Sequence, residues 1–397
     1  MGKKKVGVME LFSLLPEELI DHLAKEVAVD KWVKKLKAGY LFKLVLFSLL
    51  NSERLSLRIM EDNFKDPIFK ALAPALEAEN IAWTGIRDRL MHVNSAFFQK
   101  LFESVYKRAD ELYGGKRLAG YHIKRYDSTM IATFCHLLEG MKVGNTQKGK
   151  TQVKLCTELA DDFLIQMTFH KDQEYLSEET ALRTIIENAE SSAEDIHVFD
   201  NGLKSRKTFK DFDDQGIIFV TKLKRNPRFE LQVPYYQDDG LQDTDDLEFI
   251  QDSVVKLYGN SKELIDTKFR LVQYRVKDKD ILLNFLTNIW DLSAFEIAAI
   301  YKTRWDIEVL FRFLKQEMNL THFVCNDINA IKVMLYCSLI AATLVLIYKK
   351  ENQIKSYKKA KIKFFKELMY SIFLEALEHP SEIERLKMTL SKFIKLE

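Results

Sequence analysis

The hydrophobic period of this chain changes once, near Gly114-Gly115, and that change restricts the fold more than any other feature. Before it, apolar residues recur every three to four positions. Leu19, Ile20, Leu23 and Ala24 follow Pro16-Glu17-Glu18, the stretch 40–50 is largely apolar, and Phe97, Leu101, Phe102 and Tyr106 line one side of the segment 97–112. A period near 3.6 predicts helices. After it come short runs rich in β-branched and aromatic residues, at 122–127, 130–135, 153–159 and 163–169, which predict strands. Ser177-Glu178-Glu179 predicts a helix start, continued through 182–189. A short strand at 197–199 is stopped by Asp200-Asn201-Gly202, and a helix at 205–212 and a strand at 217–223 follow. From 226 to about 288 the pattern is again β-rich, and from Ser293 to the end it is helical.

The 397 residues leave room for two or three domains at roughly 150 each. Lys plus Arg number 60 against 58 Asp plus Glu, a net charge of +2, which excludes a histone-like protein but not a basic channel. The charge is uneven. From 115 to 154 eight basic residues face two acidic ones, and from 349 to 366 eight lysines face Glu351. Either run could follow a phosphate backbone or form a solvated face. Between Asp238 and Asp252 there are seven acidic residues and no basic one, which predicts a solvated loop or, less simply, a charged arm. Cys135, Cys156, Cys325 and Cys337 are too sparse for a disulfide framework and form no C-x-x-C pair, so a reducing compartment and no structural zinc are expected. The 16-residue apolar run 333–348 falls short of the ~20 needed to span a bilayer and predicts a buried core helix. No signal peptide is expected after Lys3-Lys4-Lys5, and no membrane role. There is no G-x-x-x-x-G-K-[ST] loop, so no nucleotide cofactor is expected, and no G-x-S-x-G elbow. His122, His136, His170 and His197 show no metal-ligand spacing and are expected to be structural.

The chemistry concentrates at four places. Read as one helix starting near Ser293 at about 100° per residue, Tyr301, Arg304, Glu308 and Lys315 share an arc of roughly 60°. Ile300, Ile307, Leu310, Phe311 and Leu314 form a separate apolar stripe beside it. An ordinary amphipathic helix with an Arg304–Glu308 pair would show the same spacing. Asp127, in Tyr126-Asp127-Ser128-Thr129, sits in or at the end of a strand, where Asp is disfavoured. Asp200 precedes Asn201-Gly202, as a turn residue would. The element order suits a ribonuclease-H-like mixed sheet, in which these carboxylates could be neighbours, although order alone suits other α/β folds. Three hard oxygen ligands suit Mg²⁺ or Mn²⁺ and two-metal phosphoryl transfer.

Taken together, Tyr301-x2-Arg304-x3-Glu308-x6-Lys315, Tyr126-Asp127-Ser128-Thr129 and Phe199-Asp200-Asn201-Gly202 resemble the signatures of the insertion-sequence-four family of DDE transposases. Leu286-Thr287-Asn288 and Leu314-Lys315-Gln316 are similar to that family as well. The resemblance covers about 120–345, and the helical N-terminus also resembles the family's amino-terminal domain. It implies a ribonuclease-H-like catalytic core whose β-rich insertion falls within the 107 residues separating Asp200 from Glu308. It implies that Asp127, Asp200 and Glu308 hold two Mg²⁺ or Mn²⁺ ions, cleave DNA at the inverted repeats of a mobile element and join the freed 3′-hydroxyl to target DNA. In the better-studied relatives a DNA hairpin is an intermediate. Tyr301, Arg304 and Lys315 would contact DNA near the cut. Trp305 would hold an unstacked base or else pack into the fold, and Trp290 is a second candidate for that role.

The expected domains are a helical DNA-binding part at 1–114, a catalytic core at 115–345 with its insertion at about 226–288, and a basic helical part at 346–397. Within the first, 81–94, with Trp83, Thr84, Arg87, Arg89 and His92, is the expected recognition segment. A homodimer is expected because two element ends must meet, in a bacterial, nucleoid-associated, cytoplasmic setting. The competing expectations are a catalytically silent DNA-binding protein derived from a transposase and a structure-selective nuclease on the same fold.

Overall fold

The computed structural model describes residues 5–378, apart from 115–116, 133–140, 144–149, 161–162, 171, 225, 236–242, 245, 260–261, 280, 321–322 and 326. Seven helices come first: α1 (Val8–Phe12), α2 (Glu17–Glu26), α3 (Ala38–Asn51), α4 (Leu57–Lys65), α5 (Pro67–Leu72), α6 (Trp83–His92) and α7 (Ala96–Tyr113). Then follow β1 (His122–Ala132), β2 (Met141–Val143), β3 (Lys150–Ala160), β4 (Phe163–His170), α8 (Glu178–Glu187), β5 (Asp195–Phe199), α9 (Arg206–Asp214) and β6 (Phe219–Leu223). The insertion contributes β7 (Phe229–Pro234), β8 (Leu247–Tyr258), β9 (Leu264–Val276) and β10 (Leu282–Thr287). Four helices end the described chain: α10 (Ala294–Lys302), α11 (Trp305–Glu317), α12 (Ile328–Glu351) and α13 (Tyr357–Glu378).

All ten strands form one sheet, in the order β2-β3-β1-β5-β6-β10-β9-β8-β7, with β4 also on β3. β1, β5 and β6 are parallel; β3 on one side and β10 on the other are antiparallel. This is the ribonuclease-H-like arrangement with an insertion, preceded and followed by helices. The insertion is not a separate layer, because β10 pairs directly with β6 and continues the core sheet. The segments 122–127 and 130–135 do not form two strands. Through residue 132 they are one strand, β1, whose pairing with β3 runs unbroken from Lys124 to Ala132; residues 133–135 lie outside the described residues, as do Cys135 and His136.

Side chains alternate across a strand, and the alternation assigns the two faces. Ile123, Ile196, Val198 and Val220 pack on the α10 side with Ile297 and Ile300. Tyr126, Phe199 and Phe219 pack on the opposite side with Leu182 and Ile185 of α8 and Phe209 and Phe212 of α9. A third apolar core joins α1–α7 to α11–α13. Its centre is α12, long and apolar enough to cross a membrane, yet with 89% of its most apolar window buried inside the protein, as the expected core helix requires. Burial of an all-round apolar helix by its neighbours satisfies it as lipid would.

Where it is described, the acidic stretch is a solvated loop at the exposed Asp243 and Asp246, as expected, and then runs into β8. Asp252 lies on β8 and is buried against the fully buried Arg270 of β9, with Arg270 Nε at 3.1 and 2.9 Å from its two carboxylate oxygens. Asp246 pairs with Lys302 at 2.8 Å, and Asp243 accepts from the Phe249 N–H. Asp252 departs from that expectation because the pairing of β8 with β9 brings Arg270 against it. Asp238, Asp239 and Asp245 lie outside the described residues.

A candidate active site at the ends of two parallel strands

The pairing of β1 with β5 sets Arg125 opposite Val198. Two further residues in the same register bring Asp127 beside Asp200, on adjacent chains about 4.8 Å apart. Alternation puts Asp127 on the face of Ile123 and Arg125, the side on which α10 packs. Arg125 confirms that direction: its Nε donates to Thr303 Oγ1 at 3.0 Å, tying β1 to the junction of α10 and α11.

That junction corrects the single-helix expectation. Thr303 N–H, Arg304 N–H, Asp306 N–H and Ile307 N–H bond to Ile300, Tyr301, Thr303 and Arg304 carbonyls, so the backbone tightens to i→i+3 spacing. Thr303 Oγ1 also donates to Ile300 O at 2.7 Å, competing for a carbonyl that a continuous α-helix would use. α10 begins sharply instead, with a capping box in which Ser293 and Glu296 satisfy each other's backbone. The break does not scatter the row. The Arg304 guanidinium lies 5.8 Å from the centre of the Tyr301 ring and pairs with Glu308 at 2.6 Å. Glu308 is in the first turn of α11, where the helix dipole favours a carboxylate. Lys315 stands two turns further along, its ammonium 5.8 Å from the Phe311 ring centre. Trp305 is 52% exposed, so it does not pack into the core; Trp290 packs edge-on against Tyr235.

The electrostatics join these pieces. Burial pushes the Asp127 carboxyl up to about 7. The Asp200 and Glu178 carboxylates add to that, while the Ser128 N–H, donating to it at 2.7 Å, and Arg304 oppose it. Burial likewise raises the Tyr301 phenol to about 12, with Asp200 and Glu308 adding and Arg304 opposing. For Arg304 burial works against the charge, but Tyr301, Glu308 and Asp200 more than offset it. Asp127 and Tyr301 thus each feel Asp200 and Arg304, and Tyr301 and Arg304 feel Glu308 as well. Among the described residues, the buried Tyr301 hydroxyl and Arg304 Nε meet no partner in hydrogen-bond geometry. Such groups cost free energy unless something else satisfies them.

Glu178 is the residue that sequence reasoning took only as a helix start. It opens α8, accepts from Ser128 Oγ at 3.3 Å, and borders Gly202. A Cβ on Gly202 would lie 2.8 Å from Glu178 Cδ and 2.9 Å from Asp200 Oδ1, so a larger residue there would have to push these carboxylates aside. The Gly202 N–H also donates to Asp200 Oδ1 at 2.8 Å, and Ser205 N–H to Glu179 at 2.8 Å, which fixes the loop after Asp200 against α8. The signal that could have flagged Glu178 is its position at the N-terminus of the helix between the two acidic strands.

Among the described residues, no three His, Cys, Asp or Glu side chains stand close enough to hold an ion. The donor set nevertheless suits a hard divalent cation: Asp127, raised chiefly by burial, is pushed further by the neighbouring Asp200 and Glu178 carboxylates.

Other expected residues are placed elsewhere. Lys124 points to the α8 face, where it pairs with Glu158 and Asp195 at 3.6 and 3.2 Å. Lys148 lies outside the described residues. Arg89 of α6 is occupied by Asp30 at 2.7 Å and by the Val29 and Leu36 carbonyls, so it is a structural residue of the helical body. In the C-terminal basic run, Lys361 is buried and donates to the Ser52 and Glu317 carbonyls, and Lys358 pairs with Glu53. His197 is structural as expected: buried, stacked on Tyr126, and bonded to Tyr126 Oη and Ser191 Oγ at 2.9 and 3.0 Å.

Acidic residues at the ends of adjacent parallel strands, in a ribonuclease-H-like sheet broken by an insertion, define the class of DDE-type nucleic-acid enzymes. The chain belongs to the DDE transposases: residues 120–344 match the family described as Transposase DDE domain. It is similar to a protein described as transposase y4zB of Sinorhizobium fredii, 30% identical over 158 residues, which cover 40% of this chain and 44% of that protein. It is also similar to a transposase described for insertion sequence element IS4SA of Synechocystis sp., 42% identical over 50 residues, or 13% of this chain and 15% of that protein. The chain thus spans less than half the length of these curated relatives. In fold it resembles the piggyBac transposase in a synaptic complex with hairpin DNA, with a TM-score of 0.53 and 11% identity over 98% of this chain and 86% of that one.

Proposed function

We propose that the protein is a DNA transposase of the insertion-sequence-four type, which cleaves at the inverted repeats of its element and joins the 3′-hydroxyl ends to target DNA. The observation that carries this reading is the register that sets Asp127 beside Asp200, with Arg304, the ion-pair partner of Glu308, acting on Asp127 through charge. Asp127, Asp200 and Glu308 would hold two Mg²⁺ or Mn²⁺ ions, which when bound activate the attacking oxygen and stabilise the leaving one. Arg304 and the Tyr301 hydroxyl would bind a phosphate beside the cut, Arg304 by charge and Tyr301 as a hydrogen-bond donor; among the described residues neither the hydroxyl nor Arg304 Nε has a partner, which supports this. Lys315 would add a contact further along the backbone, and exposed Trp305 would offer a stacking surface for an unpaired base. Arg125 and Thr303 hold the helix junction to the strand bearing Asp127. Two element ends imply a homodimer at work.

Purified protein with Mg²⁺ should nick DNA carrying its own terminal repeats, and Asp127→Asn, Asp200→Asn or Glu308→Gln should each abolish nicking while DNA binding persists. Cleavage that survives all three changes would sink the assignment. The Arg304–Glu308 ion pair, which engages one of the three carboxylates, favours a second reading as a silent DNA-binding protein. A Mn²⁺ titration showing neither binding nor nicking would select it. Hydrolysis without strand transfer into a second duplex would instead select a nuclease.

A further inference from the structure

One residue beyond Asp200 the surface opens into a cleft of about 400 Å³ that the acidic site does not use. Two chain segments line it, the loop that leads from β5 into α9 and the one that leads from β6 into β7, and Tyr258 and Gly259 close one side. Five of its lining residues are basic, Lys204, Arg206, Lys222, Lys224 and Arg228, and none of the described lining residues is acidic. None of the five forms an ion pair with a carboxylate among the described residues. Glu179 influences Arg206 from outside the cleft, and the guanidinium lies 5.6 Å from the Phe209 ring centre. Leu203, Leu223 and Pro227 supply an apolar floor.

Five cations drawn together with no carboxylate among the described lining residues repel one another, and the fold keeps them so only at a cost. One inorganic phosphate needs two or three such partners. Five, spread along two segments over an apolar floor, match a run of phosphates with sugars between them. The cleft also lies at the carboxyl ends of β5 and β6, contiguous with Asp200 through Asn201. We propose that this cleft binds the phosphodiester backbone of DNA and carries the strand away from the carboxylates toward the β-rich insertion. The inference rests on the transposase reading for what passes through it. The backbone could come from the element end or from the target.

The test uses the full chain in EDTA, titrated with KCl against two duplexes of equal length, one of arbitrary sequence and one ending in the terminal repeat. Lys222→Gln/Lys224→Gln should make the slope of log affinity against log salt shallower by up to about 2, at ~0.9 per lost phosphate contact. Lys204→Gln, at an exposed side chain, should do so by about 1 and serves if the double variant fails to fold. Loss on both duplexes identifies backbone of any sequence, as target DNA supplies; loss on the repeat-bearing duplex alone identifies the element end. Slopes equal to those of the unaltered protein on both duplexes overturn the proposal. Nicking is scored separately. Unchanged slopes with intact nicking remove the cleft and leave the transposase; shallower slopes in a protein that never nicks do the reverse.

Discussion

Two aspartates of the same sheet, Asp127 and Asp252, have opposite surroundings. Asp252 is wrapped by Arg270, whose guanidinium reaches both carboxylate oxygens and the carbonyls of Ile289 and Leu292, and stacks at 4.3 Å on Tyr235. Asp127 faces Asp200 and Glu178 instead, and its carboxyl is raised to about 7. The first carboxylate is an internal fastening between insertion strands and the loop before α10. The second is left wanting a cation, a cost that a purely structural aspartate would not retain. Carboxylate set against carboxylate at one site, and a carboxylate wrapped by a guanidinium at the other, is what separates the two.

The largest effect should break the comparison at its catalytic end. Asp127→Asn should reduce nicking by on the order of 10³-fold or more, while the unfolding midpoint in metal-free buffer stays level or rises, because repulsion with Asp200 is relieved. Asp252→Asn should do the opposite, costing about 3–5 kcal/mol by leaving Arg270 buried and unpaired. Asp252→Leu with Arg270→Met should recover much of that loss in a urea titration. A third, smaller effect concerns His197, whose pKa burial lowers to about 4. The unfolded chain takes up the proton first, near 6.5, so this stability is whole above that pH and drains away as pH falls toward 4. Between pH 7 and pH 5 the loss should be roughly 2 kcal/mol, and His197→Gln should show less of it. The smallest is Ser293→Ala, which removes the cap of α10 and should cost about 1 kcal/mol, with nicking reduced only through the position of Tyr301.

Much of this was legible beforehand because the signals are local. The change of period at Gly114-Gly115 marks where helices give way to strands, and the 333–348 run is a core helix because its apolar residues leave no polar face. The spacing of Tyr301, Arg304 and Glu308 pointed to one group, and the structure keeps them together. What stayed hidden depends on partners far away in sequence. Thr303 breaks the helix with help from Arg125, 178 residues earlier. Arg89 looks available until Asp30 folds against it. Glu178 gains meaning only beside Ser128 and Gly202, and the basic cleft exists only once the segments after β5 and β6 meet.

The apolar core shared by the first seven helices and the last three described ones has a consequence for synthesis. A ribosome releases α3 and α7 long before α12, against which both pack. Domains that fold as units can do so in order of emergence, but these early helices hold their apolar faces unpaired until the sheet and α12 have followed. The nascent chain must therefore keep its first part from aggregating while the carboxylates are being made. The helical body closes only when α12 docks, after the last of those carboxylates, Glu308, has been translated.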